Sequence, residues 1–197
     1  MFAYIKGAFT VKLPTQVVIE ANGVGYAVNI SLQTFSKIEN QSEGRLWTHV
    51  QIKDDSHDIF GFFDEDERDV FRMLISVSGI GSNTARIILS SMSSTETKNA
   101  ILAEDELAFK RVKGVGPKTA KRLIIDLKDK VLKSGTAEIV SSGTLLSNTP
   151  RREALSALLA LGFNRAEVQK ALNKVAGDAE LTTEELIKMS LKALSKG

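Results

Sequence analysis

Two short stretches hold the residues with the clearest chemical potential. Val77-Ser78-Gly79-Ile80-Gly81-Ser82-Asn83-Thr84-Ala85 and Val112-Lys113-Gly114-Val115-Gly116-Pro117-Lys118-Thr119-Ala120 agree at valine, both glycines, threonine and alanine, at an offset of 35 residues. A glycine pair lets the backbone turn sharply and lets a ligand approach it closely. A helix that starts directly after such a turn presents unpaired N–H groups and the positive end of its dipole, which suits a phosphate. Pro117 fits the first helical position, where no N–H donor is lost. Ile80 and Val115 read as hydrophobic plugs that hold each turn against its own helices. A single Gly-x-Gly is equally well a simple helix break; two copies with matched flanks favour a repeated phosphate-binding turn.

Charge around the second copy agrees. Residues 109–133 contain Lys110, Arg111, Lys113, Lys118, Lys121, Arg122, Lys128, Lys130 and Lys133 against only Asp126 and Asp129, while the whole chain carries +2. Cations clustered around backbone amides point to a polyanion. Amide-to-phosphate contacts carry no base information, so binding is expected to be independent of sequence and strongly dependent on salt.

The elements that must position these turns follow from periodicity. Each copy lies between helical patterns, so each reads as helix, tight turn, helix within residues 64–132. Asp64 with Glu67 and Ser93 with Glu96 mark helix starts, and Val70, Phe71, Leu74 and Ile75 follow at helical spacing. The acidic run Asp64-Glu65-Asp66-Glu67 suits the positive end of a helix dipole better than it suits a metal.

Upstream, residues 1–62 read as strands. Asn22-Gly23 supplies the positive φ angles of a tight hairpin. A second hairpin, in residues 45–63, has Lys53-Asp54-Asp55-Ser56 at its tip. Short strands with glycine punctuation suggest a small barrel, of which the OB-fold is the commonest; another five-stranded β domain stays open. Trp47 reads as barrel core. Phe60, Phe62 and Phe63 read as core or inter-domain packing, or as stacking residues for a single strand.

Downstream, residues 133–149 are rich in Ser, Gly and Thr and read as a flexible linker with a reach of roughly 20 to 25 Å. Residues 150–197 are helical again. Leu155, Leu158 and Leu159 form one stripe, Asn164 with Glu167 starts a second helix, and Thr182 with Glu185 starts a third.

Composition excludes several functions. The 197 residues are 43% hydrophobic and 25% charged, as in ordinary globular protein. There is no cysteine, which removes disulfides, thiolate metal sites and cysteine nucleophiles and fits a reducing, cytoplasmic setting. No run approaches the roughly 18 apolar residues that a membrane span needs, and the N-terminus lacks a signal-peptide h-region. No phosphate loop of the Gly-x-x-x-x-Gly-Lys-Ser/Thr type is present. His49 and His57, the only histidines, lie on expected strands near a turn. No pair of acids suggests a two-metal nuclease. The nearest enzymatic alternative is a DNA-repair glycosylase, ligase or nuclease, and the chemistry each needs is missing from the motifs.

The two Gly-x-Gly segments resemble the helix-hairpin-helix motif of DNA repair proteins. With the order barrel, tandem hairpin, linker and small helical domain, and with Asn22 to Tyr26, Ile59 to Phe63 and Ala157 to Phe163, nearly the whole chain resembles the RuvA family of Holliday-junction-recognition subunits. The resemblance implies an α+β chain: an OB-fold barrel over 1–63, a tandem helix-hairpin-helix domain over 64–132, the linker over 133–149 and a three-helix, ubiquitin-associated-like domain over 150–197.

It further implies a homotetramer, single or as two stacked tetramers, that holds an open four-way junction without sequence preference. Gly79, Ile80, Gly81, Asn83, Gly114, Val115, Gly116, Lys118, Lys121 and Arg122 would contact DNA. Family members commonly carry lysine where this chain has Asn83. Asp54 and Asp55 would form an acidic pin at the junction centre, although on the residues alone a polar turn is the simpler reading. Leu158, Leu161, Phe163 and Leu191 would dock a RuvB-like hexameric ATPase, although such a stripe also serves as core. A RuvC-like resolvase would share the junction. No cofactor, metal or catalytic residue is implied.

Overall fold

The computed structural model describes residues 2–54, 56–142, 150–175 and 181–194. It divides into two compact units, residues 1–138 and 139–197.

The first unit begins with a closed barrel of strand order β1-β2-β3-β5-β4. The strands are β1 (Tyr4–Leu13), β2 (Gln16–Ala21), β3 (Val24–Ile30), β4 (Glu43–Ile52) and β5 (His57–Phe62). All pairs are antiparallel except β3 with β5, where Val28 faces Ile59 and Ile30 faces Gly61. Alternation places Ile5, Phe9, Val17, Ile19, Val28, Ile30 and Leu46 inside. A bulge between Phe9 and Val11 bends β1 so that it pairs with both β2 and β4. The β2–β3 turn has positive φ at Asn22 and Gly23, as an Asn-Gly hairpin requires.

Two expectations for this region are corrected. Residues 32–38 are helix α1 (Leu32–Ile38), not strand: the Ser31 side chain caps it by accepting from the Thr34 N–H, and Ile38 plugs the barrel end. Trp47 is only partly buried and outside the barrel core. It lies on the other face of β4 from Leu46, edge-on to Tyr4 at 5.9 Å, with the Arg45 and Arg68 guanidinium groups 4.5 and 5.1 Å from its ring. An indole whose N–H and ring edge need polar neighbours is better satisfied there than among the aliphatic side chains of a small barrel.

The helical part comprises α2 (Glu65–Ile75), α3 (Ser82–Ser91), α4 (Ser94–Leu102), α5 (Glu106–Lys110) and α6 (Pro117–Ser142). Asp64 caps α2, and Ser93 with Glu96 forms a full capping box on α4. The barrel interior has its own core, and β5 joins the helices in a second one, where Phe71 packs 5.1 Å from Phe60 and 4.9 Å from Phe62. Phe60 and Phe62 are therefore buried packing residues, which removes them as stacking sites; Phe63 is partly exposed beneath the Lys37 ammonium.

Helix α6 continues to Ser142, so residues 133–142, expected in the linker, are helical. Once a helix is nucleated each further residue adds a hydrogen bond, and isolated Ser and Gly lower but do not end that propagation. Residues 143–149 lie outside the described residues.

In the second unit α7 (Pro150–Ala160), α8 (Arg165–Val175) and α9 (Thr183–Leu194) enclose Ala154, Leu158, Val168, Leu172 and Leu186. Gly162, with φ +93°, ends α7: its N–H donates to the Leu159 carbonyl and that of Phe163 to the Leu158 carbonyl. Thr182 and Glu185 cap α9 reciprocally.

Candidate nucleic-acid interface

The two repeated segments fold into the same turn. After α2 the Ile80 N–H donates to the Val77 carbonyl at 3.0 Å; after α5 the Val115 N–H donates to the Val112 carbonyl at 3.1 Å. Gly79 and Gly114 take φ of +95° and +91°, a region that costs any side-chain-bearing residue strain. Gly81 and Gly116 then open α3 and α6, with Ala85 and Ala120 each donating back to them at 2.9 Å. Val77, Ile80 and Ala85, like Val112, Val115 and Ala120, are buried in the shared core. The apolar residue between each glycine pair is thus the plug its spacing predicts.

The second glycine of each pair has a different reason to be there. Gly81 has φ −85°, which any residue adopts, and a Cβ added at Gly81 or Gly116 meets nothing within 4 Å. The protein's own packing therefore does not call for glycine at either place. Glycine just before a helix leaves the backbone there open to close approach from outside. Gly81 also provides no side-chain cap, which leaves the first N–H groups of α3 for a ligand.

Charge is more focused than the sequence window indicates. Lys110 pairs with Glu106 at 2.7 Å, Lys128 with Glu104, and Arg122 with Asp126 at 3.7 Å. Lys130 donates to the Ser76 hydroxyl at 3.0 Å. Glu104 and Glu106 lie just outside the basic segment and offset part of it. Arg111, Lys113, Lys118 and Lys121 remain exposed around the second turn. Lys110 first, and Lys121 more weakly, hold the Glu106 carboxyl below its ordinary range. Around the first turn Asn83 is exposed, and Arg86, three residues further along α3, donates to the Thr15 carbonyl at 2.9 Å. The second turn itself carries exposed cations, and the first turn carries the neutral Asn83 in their place.

The expected acidic tip closes the β4–β5 hairpin. The Lys53 N–H donates to the Ser56 carbonyl at 2.8 Å, and the Lys53 ammonium sits 3.4 Å from Asp58. Asp54 is exposed; Asp55 lies outside the described residues. The tip's base meets the first turn, where the Ser82 hydroxyl donates to Gln51 Oε1 at 2.6 Å. Neither Ser82 nor Gln51 stands out in the sequence as a functional residue.

Among the expected docking leucines, Leu158 is fully buried, so it packs the domain and cannot touch a partner. Leu161 is 62% exposed, and Phe163 and Leu191 are half-buried at the edge of the core. Phe163 also borders an open groove of about 370 Å³ with Glu167, Lys170, Lys174 and Leu194.

The acidic run does not gather on a metal. Asp64 caps α2 and pairs with Lys37, Glu65 pairs with Arg68, Asp66 with Lys98, and Glu67 turns inward to Ser31 and Thr34. Among the described residues no group of three His, Cys, Asp or Glu side chains could hold a metal ion. His49 packs 5.5 Å from the Phe71 ring, where burial, and then the Arg72 charge, lower its pKa; His57 is exposed. No helix among the described residues is long and apolar enough to cross a membrane.

Comparison with known proteins gives three family matches. Residues 1–61 match the RuvA N terminal domain, residues 71–129 the SAM-like helix-hairpin-helix tandem, and residues 149–195 the RuvA C-terminal domain. A Christiangramia forsetii protein described as Holliday junction branch migration complex subunit RuvA is 50% identical over 196 residues, spanning 98% of this chain and 100% of the relative. Relatives of the same description from Flavobacterium psychrophilum and Bacteroides fragilis are 48% and 43% identical, again over 98% of this chain and 100% of each relative.

Proposed function

The chain belongs to the RuvA family, and from that premise we propose that it binds four-way DNA junctions without sequence preference and recruits a RuvB-like hexameric ATPase for branch migration in recombination and repair. The observation that carries this reading is the pair of matching Gly-x-Gly turns, each presenting a backbone with open space where a side chain would be. Two such turns side by side can hold successive phosphates of one duplex arm while reading no bases.

In this reading Gly79, Ile80, Gly81 and Asn83 form one contact and Gly114, Val115, Gly116, Lys118, Lys121 and Arg122 the other. Ile80 and Val115 contribute through their backbone only, since their side chains are buried. Asp54 and Asp55 act as the pin: carboxylates at the centre repel phosphates, which disfavours continuous duplex and keeps parting strands separate. One tetramer brings four pins and eight turns to a junction, and two stacked tetramers bring twice as many of each.

The chain acts without a cofactor and without catalysis of its own, in the cytoplasm. The ATPase is the partner's, and a RuvC-like resolvase shares the junction. Residues 150–197 dock the motor through Leu161 with Phe163 and Leu191.

A gel-shift competition at fixed salt tests the reading, with a synthetic four-way junction against linear duplex of equal total length. Junction binding that survives excess duplex is expected. Equal binding would leave a general duplex binder and overturn the junction role.

A further inference from the structure

One face of α3 is joined to the barrel by polar side chains spaced four residues apart. The Ser82 hydroxyl donates to Gln51 Oε1 on β4 at 2.6 Å. The Arg86 guanidinium donates to the carbonyl of Thr15, in the β1–β2 turn, at 2.9 Å. The Ser90 hydroxyl accepts the Leu32 N–H at the start of α1 at 3.1 Å, while donating to the Arg86 carbonyl at 2.8 Å. Positions 82, 86 and 90 fall on one helical face. Three separate barrel elements are therefore held by one helix, and the first of these bonds lies at the mouth of the neutral Gly-x-Gly turn.

The second turn is built differently. Among the described residues no hydrogen bond or ion pair runs from residues 112–121 to the barrel. It carries the exposed cations, and the first turn carries the attachment. Gln51 also lies two residues from Lys53, where the acidic tip begins, and it pairs with Asp58 across the hairpin.

We propose that Ser82, Arg86 and Ser90 make α3 a strut that sets the spacing between the first Gly-x-Gly turn and the acidic tip, and that this spacing is a determinant of selectivity for open junctions over continuous duplex. The inference rests on the junction-binding reading above and adds positioning residues to it. The physical reason is range. Repulsion between a carboxylate and a phosphate is screened over a Debye length of about 8 to 10 Å. A tip that wandered by a few ångström relative to the phosphate-holding turn would stop discriminating. Arg86, on the helix that leaves the first turn, is accordingly used inward as an anchor.

The strut is tested in the full-length protein with Ser82→Ala and Gln51→Leu, each removing one partner of the first bond. Each is made in the native background and with Asp54→Asn/Asp55→Asn. Thermal melting checks the fold. In the native background each change is expected to lower the junction-to-duplex affinity ratio by roughly threefold to tenfold, the range one hydrogen bond supports. In the neutralised-tip background neither should lower it further. An unchanged ratio, or an equal loss in both backgrounds, overturns the proposal.

A second measurement separates the strut from the junction reading. The chain has no cysteine, so Ser78→Cys and Asp54→Cys accept spin labels at unique positions. The label-to-label distance distribution is expected to be narrow and to broaden with Ser82→Ala or Gln51→Leu. A distribution equally narrow in the variants overturns the strut even if junction preference is absent. Absent preference in the unmodified chain, with broadening in the variants, overturns the junction reading and leaves the mechanical coupling standing.

Discussion

A Cβ on Gly114 would lie 3.8 Å from the Thr84 hydroxyl and 4.0 Å from its methyl group. Thr84 belongs to the helix that leaves the first turn, and Gly114 is the pivot of the second. The two turns therefore abut, and the internal repeat is a single two-part surface. The contact also distinguishes the glycines. Gly79 and Gly114 are required by backbone conformation, whereas Gly81 and Gly116 are free of conformational and steric demand from the protein itself.

That difference separates folding from binding. Gly81→Ala and Gly116→Ala put a methyl into open space, and since each glycine stands just before its helix, where glycine is favoured over alanine, the expected cost is only about 0.5–1 kcal/mol of stability. Junction affinity should fall about tenfold or more, because the methyl occupies the place a phosphate approaches. Gly79→Val and Gly114→Val should lose junction binding, adding strain of order 1–3 kcal/mol at positive φ. Paired thermal melts and gel shifts read both. Unchanged affinity in the two alanine variants would remove the backbone-approach argument.

Glu67 makes a prediction in pH. It is buried, accepts from Thr34 at 2.7 Å and from Ser31, and burial pushes its carboxyl above the ordinary value of 4.5. A raised folded pKa favours the protonated form in the native state. Its contribution is thus fully present below the unfolded value and is lost as pH rises through the elevated folded value. Relative to Glu67→Gln, the native chain should therefore lose melting temperature as pH rises from about 4.5 toward neutrality. Glu67→Ala should cost about 1–3 kcal/mol at low pH, where Ser31 and Thr34 lose their acceptor, and less as pH rises and the native chain loses Glu67's contribution. Melting curves of the three proteins from pH 4 to 8 check the sign.

The legibility of this chain follows a physical divide. Features set by local chemistry were readable: the Asn22-Gly23 hairpin, the caps at Asp64, Ser93 and Thr182, and the plugs Ile80 and Val115. Features set by tertiary contact were not. Glu67 fits a capping box by spacing, yet its side chain turns inward because Ser31 and Thr34 offer two donors. Helix α1 is a single short stretch between strands, too brief for its period to rise above the strand signal. The Ser82, Arg86 and Ser90 stripe is ordinary polar surface until the barrel is placed against it. The pairing of Lys128 with Glu104 and of Lys110 with Glu106 lies outside the basic segment's own window, because Glu104 and Glu106 come before residue 109.

In the C-terminal domain, burial divides core from docking. Leu158→Ala should cost about 2–5 kcal/mol, which a three-helix domain of under 50 residues cannot absorb, so the domain should unfold. Leu161→Asp changes an exposed side chain and should leave the domain's helicity intact while abolishing stimulation of a purified RuvB-like ATPase on junction DNA. Junction affinity of the full chain should be unchanged in both. Stimulation that persists with Leu161→Asp would place the docking face elsewhere, with the Phe163 groove the next surface to alter.

Salt dependence tests the division of labour between the two turns. Each phosphate contact by a cation contributes about −0.9 to the slope of log affinity against log salt. Lys118→Gln and Lys121→Gln should each lower the slope by about 1, because both are exposed beside the second turn. In the proposed reading the first turn would contribute affinity through neutral donors, so the slope would owe little to it. Asn83→Lys should therefore raise junction affinity at low salt and steepen the slope by about 1. A lysine near the start of α3 faces its dipole unfavourably, at about 0.3–1 kcal/mol of stability in isolation, and a bound phosphate would reverse that sign. Destabilised free protein with tighter junction binding is the expected signature. Destabilisation with no gain in affinity or slope would mean that the first turn does not meet a phosphate, and that only the second grips DNA.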